Sequence, residues 1–167
     1  MSYRLVDLMK ELHSEGQMLQ RVYAGIPIAE ADEMIRRGTE LTADGMFQVQ
    51  GIKVYIDGTL GSRGAALIEN YSDADHNGFM DRTSKEVLMP VMHESLRRGF
   101  QIFTHVIGDR AVRTLLDWYQ EAWDAVPQSE WASTDLRWRM EHAQIIPPSD
   151  QQRFVAMNVL PSMQPSH

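Results

Sequence analysis

Three observations predict an α/β fold built from parallel strands joined by crossover helices. Stretches of alternating or continuous apolar residues, which read as strands, take turns with stretches of helical period. The 167 residues, 43% of them hydrophobic, suffice for one domain with a real core. No internal repeat, low-complexity tract or linker divides the chain, so residues 1–167 form a single predicted domain. The alternation allows two architectures, an open doubly wound sheet or an arc of a barrel. A closed eight-fold barrel typically needs ~250 residues.

The elements follow in order. Leu5, Leu8, Met9 and Leu12 recur at helical spacing and predict a helix over 3–14. Residues 17–24 read as a short strand ended by Gly25 and Pro27. Residues 28–37 favour helix, with Gly38 at the C-terminal cap, and 39–45 form a polar connector. Residues 49–56, Val-Gln-Gly-Ile-Lys-Val-Tyr-Ile, are rich in β-formers and read as a buried strand. Residues 57–82 carry glycine at 58, 61, 64 and 78 and no clear period. A loop this long inside a compact domain is often functional. Thr83 and Glu86 have capping-box spacing before a helix running to about Arg98, closed by Gly99. Residues 100–107 read as a strand and 109–125 as a helix with Asp109 as N-cap. Residues 136–144 read as a strand, 147–156 as a short helix and 158–163 as a last short strand.

Composition narrows the function. Against 16 Lys+Arg stand 23 Asp+Glu, a formal net charge of -7. Nucleic acids and anionic membranes select a basic face, so neither is an expected partner. No apolar run reaches the ~18 residues of a membrane span. The amino terminus lacks the apolar stretch of a signal peptide, so a cytoplasmic protein is expected. With no cysteine, a metal would be held by His, carboxylate or a modified Lys.

The residues that could carry chemistry cluster at strand ends. Lys53 lies inside the strand 49–56 and shares a face with Tyr55 and Asp57. A lysine there is costly unless it is paired, reaches past the strand end, or is chemically altered. His105 and His142 come at the carboxyl ends of successive strands, the active face of parallel α/β folds. Either one alone reads as a hydrogen-bonded structural histidine. Two at matched positions, with a lysine on the preceding strand, point to one shared ion, and imidazole nitrogen suits Zn, Fe or Ni. Asp109 is placed to cap its helix or to orient His105. Glu141 points to the opposite face of a regular strand and is not expected to be a ligand. Arg63, in the glycine-rich loop 57–64, is placed to hold a substrate carboxylate. That loop lacks the Gly-Lys-Ser/Thr ending of a phosphate cradle. His167 follows the last strand at the same edge. His13 and His93 fall in helices, His76 in a polar turn, and the four Trp suit packing.

Four segments carry a resemblance: Ile-Lys-Val-Tyr-Ile-Asp-Gly-Thr-Leu-Gly-Ser-Arg-Gly-Ala-Ala-Leu (52–67), Thr-His-Val-Ile-Gly-Asp-Arg-Ala-Val (104–112), Trp-Arg-Met-Glu-His-Ala-Gln (138–144) and Ser-Met-Gln-Pro-Ser-His (162–167). In this order they resemble the amidohydrolase superfamily, and within it amidohydrolase family 3, the branch of formamide-deformylase-like enzymes. The resemblance implies a partial (β/α)8 barrel of about five parallel strands, strands three to seven of the family fold. It implies a divalent metal, zinc first and iron second, held by Lys53 as a carboxylated lysine, His105 and His142. It implies Asp109 as a catalytic residue, Arg63 and His167 at the substrate, and hydrolysis of C–N bonds in small amide-type substrates. The alternative is a non-catalytic α/β scaffold that binds no metal. The family's His-x-His pair and eighth-strand Asp do not occur in these residues, so the isolated chain is expected to be weakly active or inactive. Open sheet edges predict a homo-oligomer.

Overall fold

The computed structural model describes residues 1–166. Its strands are β1 (Val22–Pro27), β2 (Glu40–Leu41), β3 (Phe47–Tyr55), β4 (Gln101–Val106), β5 (Arg139–His142) and β6 (Leu160–Ser162). Its helices are α1 (Tyr3–Ser14), α2 (Ala31–Arg37), α3 (Lys85–Arg98), α4 (Asp109–Ala125) and α5 (Gln151–Ala156). β1, β3, β4, β5 and β6 lie side by side in that order, each pair parallel. Helices on the connections make each step a βαβ unit, the geometry of a partial (β/α) barrel. β2, read from sequence as plain connector, adds a two-residue antiparallel rung to β3.

The first strand starts five residues later, and ends three residues later, than the sequence predicts. Gly25 and Pro27, read as breakers, lie inside β1. Gly25 and Gly51 sit beneath the Phe103 ring, and a Cβ on Gly25 would come within 2.7 Å of it. The missing side chains are what lets that ring lie across the sheet. The capping box also shifts: Ser84, not Thr83, holds the N-cap position of α3. Gly38 and Gly99 close α2 and α3 with positive φ, as expected of C-terminal glycines.

A β-bulge decides which side chains face which way. Ala24 pairs with Val49, but Gly25 pairs with Gly51, so Gln50 is an extra residue in β3. The extra residue changes the parity of the strand. Phe47 and Val49 before it, and Ile52 and Val54 after it, all enter the core under the helices. Lys53 and Tyr55 are thereby placed on the other face. The core under the helices is continuous with Ile102, Val106 and Met140 of the sheet and with Leu88, Met92, Leu96, Leu115 and Leu116 of α3 and α4. The hydroxyls of Thr104 and Tyr119 meet inside it at 2.8 Å. The sheet therefore has one apolar, helix-covered face and one polar face, and the polar face carries the site.

Candidate metal centre

Register sets the layers of the polar face, because neighbours across a parallel pair project to the same side. Lys53, Phe103 and Arg139 form one layer, and Tyr55, His105 and Glu141 the next. Glu141, expected on the opposite face, is thus in step with His105. His142 is the residue that alternation would turn away. It is brought back by the backbone: His142 has φ 75° and Ala143 φ 40°. Two consecutive left-handed residues at a strand end cost on the order of 1–3 kcal/mol each, and such strain collects at functional sites. The bend is held by hydrogen bonds from Ala143 N–H to the Val106 carbonyl (3.0 Å) and from Ile145 N–H to the Ile107 carbonyl (3.1 Å).

The bend places the two imidazoles against each other. The centroids of His105 and His142 are 4.8 Å apart, with the rings inclined at 72°. Both line a cavity of about 370 Å³ with Lys53, Tyr55, Phe103, Arg139 and Glu141. His105 is nearly buried, and burial pulls its pKa below the ordinary histidine range, against the pull of the Gly58 carbonyl and the Asp57 charge. It is therefore neutral at pH 7, the state a metal ligand needs. Its Nε2 lies 3.2 Å from the Gly58 carbonyl oxygen. A carbonyl only accepts, so Nε2 carries the proton and Nδ1 carries the lone pair. His142 Nδ1 lies 2.8 Å from Gln164 Oε1.

Lys53 does not pair with a carboxylate among the described residues. Its Nζ sits 4.7 Å from the centroid of the Tyr55 ring. Burial pushes its pKa below the usual lysine range, and the Glu141 charge only partly restores it. Glu141 itself is engaged by Arg139, whose guanidinium also lies 4.2 Å from the Phe103 centroid. Among the described residues no group of three or more His, Cys, Asp or Glu gathers around one point. Among the described residues, an altered Lys53 is the candidate third donor beside the two imidazoles.

A second cavity, about 480 Å³, reaches His105 from the β1 side. Ile28, Tyr55, Thr59, Arg82 and Thr83 contribute its walls. Thr83, read from sequence as a helix cap, is a wall residue instead.

Other expected site residues stand elsewhere. Arg63 holds Asp73 through two hydrogen bonds, Nε to Oδ1 at 2.9 Å and Nη2 to Oδ2 at 2.6 Å, and lines neither cavity. Asp109 is the first residue of α4, with Gly108 in the N-cap position. Its Oδ1 accepts from the N–H of Ile68 (2.8 Å) and of Arg110 (2.9 Å), so it ties the long loop to the helix. His167 lies outside the described residues. At the loop 57–64 the Gly58 N–H donates to the Gly64 carbonyl, and the N–H groups of Gly64 and Ala65 both donate to the Thr59 carbonyl. Arg110 adds hydrogen bonds to the carbonyls of Leu67 and Gly78.

Gly108 is the point where loop and turn touch. A Cβ there would drive into the Ala66 backbone. Gly108→Ala is expected to destabilise the protein by at least the ~1–3 kcal/mol of ordinary overpacking. For a domain this size that lowers the thermal midpoint by roughly 2–4 °C per kcal/mol, readable by calorimetry. An unchanged midpoint would mean that the loop is not packed against this turn.

Asp57, which sequence reasoning noted only for its face, is buried beside His105. Tyr55 was likewise noted only for its face, Glu141 was expected on the opposite face, and Arg139 was not singled out. Period-two alternation along β3 places Tyr55; Arg139 and Glu141 needed the register of β5.

Comparison with known proteins fits this geometry to a family. The model of the amidohydrolase family matches residues 2–167. The chain belongs to that family. Protein LONG AFTER FAR-RED 3 of Arabidopsis thaliana is 34% identical over 165 residues, 96% of this chain and 27% of that protein. The crystal structure of an uncharacterized metal-dependent hydrolase from Pyrococcus furiosus superposes with a TM-score of 0.80 at 26% identity, covering 96% of this chain and 32% of that one. Its counterpart from Pyrococcus horikoshii OT3 superposes with a TM-score of 0.80 at 25% identity, covering 96% and 31%. The chain thus spans between 27% and 32% of the length of these three proteins. No helix among the described residues is long and apolar enough to cross a membrane.

Proposed function

We propose that this chain is the metal-ligating part of an amidohydrolase acting on C–N bonds of small amide-type substrates. The observation that carries the reading is the meeting of His105 and His142, 4.8 Å between ring centroids, at the carboxyl ends of adjacent parallel strands. Two imidazoles and a half-buried amine suit a zinc ion, with iron second. When bound, a divalent ion supplies polarisation of an amide carbonyl and acidification of water.

The chain's own residues prepare the site. His105 offers Nδ1 because Nε2 is committed to the Gly58 carbonyl. Lys53, its ammonium disfavoured by burial, is suited to add to carbon dioxide. The amine nitrogen bonds to the carbon, one C–O π pair moves to oxygen, and the nitrogen releases a proton. The product is an anionic oxygen donor in the His105–His142 cavity. Arg139 neutralises Glu141 beside it, and Tyr55 walls off one side. A substrate would approach through the cavity between Ile28, Tyr55 and Thr83.

The absence of a third His, Asp or Glu donor among the described residues favours the second reading, a scaffold that binds no metal. Metal analysis separates the two. Protein purified without chelator is expected to hold one zinc per chain and to show a carbamate resonance with ¹³C-bicarbonate that Lys53→Arg removes. Folded protein with neither would establish the scaffold reading.

The same reading extends to assembly. Among the described residues β1 and β6 each have one unpaired edge, and self-association is the expected way to cover them. Sedimentation is expected to show an oligomer; a well-folded monomer at high concentration would contradict it.

A further inference from the structure

We infer that Asp57 is a positioning residue for this centre: it pins the chain at Gly58 so that the Gly58 carbonyl holds the His105 ring with Nδ1 turned to the ion. The inference rests on reading His105 as a ligand.

Asp57 follows the end of β3, and its carboxylate is only 1% exposed. Burying a carboxylate is costly unless it is hydrogen-bonded. Here three backbone N–H groups supply the bonds. Asp57 Oδ2 accepts from Ala66 at 3.0 Å and from Gly108 at 2.8 Å, and Oδ1 accepts from Ile107 at 3.0 Å. Ala66 belongs to the long loop, while Ile107 and Gly108 form the turn between β4 and α4. One side chain therefore fastens the ends of two adjacent strands and the loop over them.

The next residue is where this fastening meets the imidazole. Gly58 N–H donates to the Gly64 carbonyl at 3.0 Å. A Cβ on Gly58 would come within 3.0 Å of the Gly64 Cα and 3.1 Å of its carbonyl carbon and oxygen. Clamped by Asp57 on one side and Gly64 on the other, Gly58 has little room to turn its carbonyl away from His105 Nε2, 3.2 Å distant. Asp57 Oδ1 stands 3.9 Å from the same nitrogen, too far for a hydrogen bond of its own. The carboxylate acts on the ring through the backbone. Outer partners of this kind fix a ligand histidine's tautomer and orientation, and losing one typically weakens metal binding about 10–100-fold.

Histidine tautomers are read directly from two-bond ¹H–¹⁵N spectra, and the metal-free protein at mildly alkaline pH suffices. His105 is expected as the Nε2–H form in the unaltered protein. Asp57→Asn puts an NH₂ group among the three donors, and Gly58→Ala displaces the carbonyl while leaving the Asp57 charge alone. Both are expected to give a mixed His105 tautomer and a zinc affinity about 10–100-fold lower by calorimetric titration. A purely structural clamp would change the melting temperature and leave the tautomer as it was. The inference is overturned if unaltered His105 is the Nδ1–H form, a result that needs no variant to fold. It is also overturned if either variant folds with tautomer and affinity unchanged. An Nε2–H His105 that mixes in both variants, in a protein that takes up no zinc, would sink the metal reading and leave the role of Asp57 in orienting the ring standing.

Discussion

His105→Ala is expected to abolish stoichiometric zinc binding while the fold persists. The imidazole projects from β4 into the polar face, away from the helix-covered core, so its removal opens space without uncovering apolar packing. The loss should exceed the roughly 10–100-fold that follows removal of an outer partner, because a ligand itself disappears. His142→Ala is expected to match it, with one difference. At His142 the substitution also puts alanine at φ 75°, a left-handed conformation that alanine tolerates less well than histidine does. A small additional loss of stability is therefore expected for His142→Ala and not for His105→Ala. Calorimetric titration with zinc and a thermal melt on the same samples separate the two effects. Zinc binding that survives both substitutions would place the ion elsewhere.

Trp138→Ala is expected to be the most destabilising single truncation. The side chain is fully buried just before β5. Its ring meets Tyr119 at 5.0 Å and 64°, an edge-to-face contact, and Trp123 at 6.0 Å. Its Nε1–H donates to the Phe100 carbonyl at 3.1 Å. Truncation of a buried aromatic of this size costs about 3–5 kcal/mol, a large part of the ~5–15 kcal/mol that holds a typical domain together. The thermal midpoint should fall by about 6–20 °C. The residue immediately precedes β5, the strand that carries His142, and its ring packs that strand against Tyr119 and Trp123 of α4. Zinc affinity should therefore fall with stability. A midpoint within 2–3 °C of the unaltered protein would mean the cluster contributes little.

The parts of the fold that could be read from sequence are those whose pattern is local. β4 is buried at every residue, and α4 has a clean apolar face ending near Ala125, so both were placed within a residue or two. β1 was misplaced because Met18 and Leu19 look like strand and are not. Leu19 is 89% exposed, while Gly25 and Pro27 look like breakers and are strand. The reason lies across the sheet, in the Phe103 ring over Gly25, which no local pattern reveals. Lys53 and His105 were visible as unusual residues in strands. Their common face depends on the bulge at Gln50, which the apolar residues on both sides of it encode.

Glu141 was assigned to the face opposite His142, yet both line the His105 cavity. Alternation assumes extended backbone, and His142 and Ala143 are left-handed. Asp57 escaped notice as a fastener because two of its three donors, Ile107 and Gly108, lie about fifty residues away in the chain. Asp109 was read as capping its helix or orienting His105, yet Gly108 holds the N-cap position and Asp109 accepts from Ile68 and Arg110, serving the loop.

The convergence of Lys53, His105 and His142 on one ion is most directly tested by an anomalous-scattering map of zinc-loaded crystals grown with bicarbonate. One peak is expected, with His105 Nδ1 and a His142 nitrogen each about 2.0–2.1 Å away and an oxygen on Lys53 about 2.0–2.2 Å away. A map with no peak between these side chains, or with zinc only at a surface pair such as His13 and Asp44, would contradict the account.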